Sequence, residues 1–147
     1  MSALIYNHVK SIGLSRARLQ RTSAFVLRRM GESGAPISVS FVGEQRMRRL
    51  NRTHRGVDMA TDVLSFPLRE GGEETNGELG DIFLCPSYIR RQAERLGVSY
   101  GEECTRMLIH GILHLAGHDH RTKREAKKMF GLQEKLLRDF QKLETSF

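Results

Sequence analysis

Residues 110–120 read HGILHLAGHDH and hold four of the chain's six histidines, together with an aspartate. His110 and His114 are four residues apart, so on a helix their imidazoles rise from one face at ligand spacing. Met107, Leu108, Ile109, Ile112, Leu113 and Leu115 wrap most of the remaining circumference, which predicts a largely buried helix. Two unpaired imidazoles in such a wall are costly unless something satisfies them. Gly117 suits the left-handed residue that ends a helix and reverses the chain, bringing a later histidine back toward the first two. His120 fits that role better than His118, because six residues after His114 leave room for a turn, while His118 follows the glycine too closely. Three neutral imidazoles with an open fourth position describe a catalytic zinc site. A structural zinc more often has four ligands, frequently thiolates, and the sequence has no CxxC pair to supply them.

The same residues overlay the metallopeptidase frame HExxHxxGxxH at its histidines and glycine: His110, His114, Gly117 and His120. The glutamate that serves as general base in that frame is replaced by Gly111, which cannot take up a proton. The ligand set therefore resembles a zincin while the peptidase chemistry lacks its acid/base group.

The elements that must position these residues follow from periodicity and turn chemistry. A short strand is expected at 4–9 and a helix over about 15–31, opened by Ser15 and closed by Gly31. A half-buried strand, ISVSFVG, follows Pro36, then a short basic helix, EQRMRRLNRTHR. The near-continuous apolar runs 61–68 (TDVLSFPL) and 78–86 (ELGDIFLCP) read as two interior strands, joined by the acidic, glycine-rich segment REGGEETNG as a solvated loop. Helices are expected at SYIRRQAERLG, at about 100–116 and at about 122–143. The last carries Ala126, Met129, Phe130, Leu132, Gln133, Leu136, Leu137 and Phe140 on or near its buried side. The sum is an α+β fold in one domain, residues 1–147, with a small mixed sheet of about four strands and four to five helices. Strand order and direction are not legible at this stage.

Apolar residues at 39% and charged residues at 28% describe a soluble globular chain, and no run approaches the ~20 apolar residues of a membrane span. The first residues lack the features of a secretory signal, so the expected compartment is the cytosol. Cys85 and Cys104 sit in apolar contexts and read as buried thiols. A net charge of +7 suggests a polyanionic partner, most often nucleic acid. The arginine-rich segments 16–29 and 46–55, with Arg90, Arg91 and Arg95, are candidates for tracking an RNA backbone, although each alone also reads as the solvated face of a helix.

HGILHLAGHDH resembles the HGxLHLxGxDH signature of the YbeY endoribonuclease family. LNRTHRGVDMATDVLSFP at 50–67 is similar to that family's N-x-x-x-R-x-x-D-x-x-T-D-V-L-S-F-P block, and GELGDIFLCP to its G-D-I segment. His54 departs from the pattern at a position where the family usually has an aromatic ring. The resemblance implies a zincin-like fold and a metal-dependent, single-strand-specific endoribonuclease of 16S rRNA 3′-end maturation and ribosome quality control. It implies one zinc per chain held by His110, His114 and His120, with Arg55 as the functional arginine near the metal. Asp81 matches an aspartate tied to contact with a small-subunit ribosomal protein. A guanidinium suits the charge that develops on non-bridging phosphate oxygens. No firm general base emerges. The nucleophile is open between a water at the metal and the RNA 2′-hydroxyl. Asp119 or Asp62 can assist, or serve as cap and turn residues; Ser65 can touch a phosphate, or simply face inward from its strand. The competing readings are a ribosome assembly factor whose zinc is only structural and a zincin-like metallopeptidase.

Overall fold

Among the described residues, nine elements form close to where period and caps predict them. The computed structural model describes residues 3–68 and 77–146, which run β1 (Ala3–Asn7), α1 (Arg16–Arg29), β2 (Ile37–Phe41), α2 (Glu44–Arg55), β3 (Val63–Pro67), β4 (Gly80–Leu84), α3 (Pro86–Leu96), α4 (Tyr100–Leu115) and α5 (Lys123–Thr145). The side chains of Ser15, Ser99 and Thr122 accept the backbone N–H groups of Arg18, Glu102 and Glu125, capping α1, α4 and α5. Segment 69–76, which the sequence reads as a solvated loop, lies outside the described residues. The first strand ends at Asn7, two residues early, because the Asn7 side chain accepts the Val9 N–H (2.9 Å) and turns the chain away.

The sheet has the order β1-β2-β4-β3, with β1, β2 and β4 parallel and β3 antiparallel to β4. It is the mixed, four-stranded sheet with five helices that the sequence suggests. One expectation fails: of the two runs read as interior strands, only β4 is interior, and β3 is an edge. Its apolar character comes from cover on both faces. Leu64 packs with Met47 of α2, Val42 and Cys85, while Ser65 faces α4, donating to the Gly111 carbonyl at 3.3 Å. Two-sided burial leaves the same sequence signature whether or not a second strand lies alongside.

The helix that carries His110 and His114 is the centre of the fold. α4 packs against α1, α3, α5, β3 and β4, and its Leu108, Ile109 and Ile112 are fully buried with Val39 and Ile82 of the sheet, Leu19 and Val26 of α1, and Met129 and Leu136 of α5. Each such side chain contributes about 1.5–3 kcal/mol. The opposite sheet face is covered by α2 near β3 and β4, whereas Leu4 and Tyr6 of β1 are exposed. Both cysteines are free and buried as expected, and burial pushes the Cys104 thiol up to about 11. Among the described residues no helix is long and apolar enough to cross a membrane.

Gly80 shows how tightly the two site-bearing strands approach. Its φ is +146°, and a Cβ there would lie 2.2 Å from the Phe66 carbonyl oxygen, which is backbone and cannot swing aside. Gly80→Ala is expected to destabilise the fold by more than about 1 kcal/mol, read as a fall of at least about 3 °C in Tm. A wild-type melting curve for the variant would contradict this packing.

Candidate metal centre

The first two histidines are delivered by α4 and the third by the turn that closes it. Gly117, at φ +102°, donates its N–H to His114 O (3.0 Å), and His118 donates to Leu113 O (2.9 Å), the paired closure that reverses a chain after a helix. The Asp119 carboxylate then accepts the His120 N–H at 2.7 Å and pairs with Arg121 at 2.9 Å, fixing the end of the turn. That backbone bond is the main reason the Asp119 carboxyl is held below the ordinary carboxylate range.

The outcome is a group of three imidazoles, His110, His114 and His120, whose ligand nitrogens all lie within 4.8 Å of one another, with His110 deepest and His120 exposed. The preference for His120 over His118 matches this geometry: His118 lies outside the group, in the wall of the adjoining cavity. Burial pushes His110 below its ordinary value, against the opposing pull of its hydrogen bond to Gln133. His114 is pushed down to about 4, first by burial and then by its two histidine neighbours and Arg55. Both rings are therefore neutral at pH 7 and keep a lone pair, the form in which imidazole binds metal. The donor set fits a divalent ion, and the group is exposed on its His120 side.

The histidines sit where two cavities meet. The narrower, about 220 Å³, is bounded by Asn51, Thr61 and Asp62; the wider, about 520 Å³, extends past Glu32, Pro67, His118 and Arg121. Arg55, Ser65, His114 and His120 line both. Arg55 is the last residue of α2, and its Nη2 donates to Ser65 O at 3.4 Å, which aims the guanidinium across the junction. Phe130 of α5 stacks nearly parallel to the rings of His110 and His120 at 5.9 Å.

Other residues singled out in the sequence fall as follows. Ser65 is buried and bonded to the Gly111 carbonyl, so it faces inward. Asp62 faces the narrower cavity, its carboxylate fixed by the Val63 N–H (2.7 Å) and by Gln92 Nε2 (3.0 Å). His54 packs against Phe66 in a tilted arrangement, with ring centroids 4.8 Å apart and planes at 58°, so the imidazole takes up the ring contact at that position. Asp81 is remote from the histidines, on the open sheet face, where it accepts from Ser38 Oγ at 2.6 Å and borders a cavity with Leu4 and Tyr6. Of the arginine-rich segments, Arg55 is the residue that lines the cleft, joined by Arg121, whereas Arg21, Arg29, Arg48 and Arg91 pair with Glu144, Asp139, Asp58 and Glu44.

Gln133 was missed as a site residue: it accepts at the back of His110 and was read only as part of the buried face of the last helix. The available signal was an uncharged polar residue on an otherwise apolar stripe, Met129, Leu136, Leu137 and Phe140. Glu103 was missed likewise; it is 1% exposed and bonded to Arg106 and Gln92.

Fold and site together define an α+β protein built around three histidines that could hold a metal ion at the end of a buried helix. A family model described as endoribonuclease YbeY matches residues 5–141. The chain is similar to the endoribonuclease YbeY of a Sulfurihydrogenibium species, with 39% identity over 134 residues covering 90% of this chain and 88% of the relative. It is 41% identical to that of Bacillus cereus over 117 residues, covering 74% and 75%. A solution structure of a Thermotoga maritima protein superposes with a TM-score of 0.65 at 29% identity, covering 97% of this chain and 93% of the other. The chain belongs to the YbeY endoribonuclease family.

Proposed function

We propose that this chain is a zinc-dependent endoribonuclease that cuts single-stranded RNA in the maturation of the 16S rRNA 3′ end and in ribosome quality control, in the cytoplasm, with residues 1–147 acting as one domain. The observation that carries the reading is the junction of two cavities at His110, His114 and His120 with Arg55 lining both. A strand laid along that cleft places one phosphodiester at the junction and its neighbours in the two arms. Zinc is the ion best suited to three neutral imidazoles with an open position, and when bound it supplies a Lewis acid for a phosphate oxygen. Arg55 donates hydrogen bonds to the non-bridging oxygens, where charge accumulates as the bond breaks. Asp62, with its carboxylate already oriented in the narrower arm, is placed to hold a proton of the attacking hydroxyl. With a net charge of +7, RNA binding weakens steeply with salt.

Asp81 is proposed to contact a small-subunit ribosomal protein. It lies on the uncovered sheet face beside exposed Leu4 and Tyr6, away from the cleft, so RNA and a protein partner can be engaged at once.

The test compares zinc-quantified wild type and Arg55→Ala on single-stranded and duplex RNA. Single strands are expected to be cut and duplex spared. Arg55→Ala should keep its zinc and lose about 10²- to 10³-fold in rate, the scale of removing one preorganised donor. If the variant cuts at the wild-type rate, Arg55 has no such role; if zinc-loaded wild type leaves single-stranded RNA whole, the endoribonuclease reading fails.

A further inference from the structure

His110 is held from behind. Its Nδ1 lies 2.7 Å from Oε1 of Gln133, which projects from α5 and is 5% exposed. A glutamine amide can meet an imidazole with either end, and which end it presents decides which ring nitrogen carries the hydrogen. The surroundings of Gln133 fix the answer. Its Nε2 is 3.2 Å from Glu134 Oε2, and a carboxylate only accepts, so the amide must turn its NH₂ that way. Glu134 is kept ionised and in place by Arg106, whose Nε and Nη2 donate to it at 2.9 and 3.2 Å. Arg106 is in turn anchored by the buried Glu103 at 2.5 Å. The amide oxygen is thereby left facing His110. Because that oxygen also only accepts, Nδ1 must be the protonated nitrogen and Nε2 the one with a free lone pair.

We propose that Gln133 is a positioning residue for the metal centre: its amide oxygen, oriented by the Glu134–Arg106–Glu103 chain, holds His110 in the Nδ1–H tautomer and leaves Nε2 as the donor. The inference rests on the metal-binding reading given above. An imidazole without such an acceptor divides between tautomers and ring orientations, and every molecule with the wrong nitrogen free must rearrange before it binds. The chain also joins α4 to α5, so the same side chains that pack the two helices together set the chemistry of the deepest ligand.

The test uses the full chain, zinc alone as the probe, and two readouts that do not depend on catalysis. Zinc affinity is measured by competition with a chromophoric chelator, and the His110 tautomer by imidazole ¹⁵N NMR of the metal-free protein. Gln133→Leu keeps the bulk and loses the acceptor. It is expected to weaken zinc roughly 10- to 100-fold, the range found when an outer hydrogen-bond partner of a ligand is removed, and to move His110 away from the Nδ1–H form. Gln133→Glu keeps an acceptor and is expected to retain the tautomer and most of the affinity. Glu134→Gln replaces the acceptor-only carboxylate with an amide that can present either oxygen or NH₂ to Gln133, and it weakens the pair with Arg106, so the orientation of Gln133 is no longer enforced. Its side chain is 41% exposed, so the variant folds even if Gln133→Leu does not, and it should give a mixture of tautomers with a smaller loss of affinity. Wild-type tautomer and affinity in both Gln133→Leu and Glu134→Gln would overturn the proposal. So would equal losses in Gln133→Leu and Gln133→Glu, which would make the residue a packing element. If the wild type itself binds no zinc, the metal reading falls and takes the inference with it; a wild type that binds beside variants that bind equally well sinks the inference alone.

Discussion

His114→Ala is expected to bring RNA cleavage to background while the protein stays folded. His114, like His120, faces both cavities, and its loss leaves two imidazoles where three would hold the ion. Zinc affinity should fall by more than the roughly 10- to 100-fold typical of losing an outer partner. With the ion goes a contribution of several kcal/mol to transition-state stabilisation, so the rate falls at least about 10³-fold. The fold survives because the ring is only half-buried and the core contacts of α4 are made by Leu108, Ile109 and Ile112. The measurement pairs cleavage with thermal melting and zinc content. A structural zinc gives the opposite signature: an intact, zinc-loaded wild type that does not cut RNA, and a His114→Ala protein whose main change is a lower Tm. Acid stability provides a further check. In the metal-free protein the unfolded chain protonates His114 near its ordinary 6.5, whereas the folded chain does so only near 4. Between those values the unfolded state binds more protons, so stability declines as pH falls through that window. His114→Ala removes this group's share of the decline. An unchanged pH profile in the variant would show that His114 does not contribute it.

Gly111→Glu restores the zincin peptidase frame on paper and is expected to wreck the fold rather than create a peptidase. A Cβ at 111 would lie 3.0 and 3.2 Å from Ile82 Cγ2 and Cδ1 and 3.2 Å from Ser65 Oγ, so this position of α4 presses directly on the sheet. A glutamate there adds overpacking of about 1–3 kcal/mol and an unpaired carboxylate in a buried wall, which costs more again. A loss above about 3 kcal/mol should appear as a large fall in the denaturant midpoint, with no cleavage of peptide substrates. A stable Gly111→Glu protein would refute the close approach, and one that cleaves peptides would reopen the peptidase reading. Gly111 leaves the base missing in the sequence, and in the structure even a Cβ at that position crowds Ile82 and Ser65.

Local features were the most legible. His110 and His114 on one helix face, the reversal at Gly117, the serine and threonine caps and the buried thiols are all set by residues a few positions apart, where propensity and period speak directly. What escaped depends on partners far along the chain. Leu64 looks the same on an interior strand as on an edge strand covered by α2 and α4, so the place of β3 was misread. The role of Gln133 needed the 23-residue separation from His110 to be closed by α5 folding back on α4. The arginines were visible as charge, but whether each meets a carboxylate or the cleft is decided by which helix lies opposite: Arg21 finds Glu144 and Arg55 does not leave the site.

The central placement of α4 divides the three histidines by the motions open to them. Amide groups around His110 and His114 belong to a helix enclosed by five other elements, so they exchange hydrogen with solvent only when most of the molecule opens. His120 lies beyond the Gly117 reversal on an exposed turn, held by Asp119 and the closure bonds, and that turn can open on its own at far lower cost. Two of the histidines are thus tied to global stability and one to a local opening. An ion held by the three histidines is therefore expected to leave through opening of the His120 turn, and a zinc release rate that tracked global unfolding instead would contradict this.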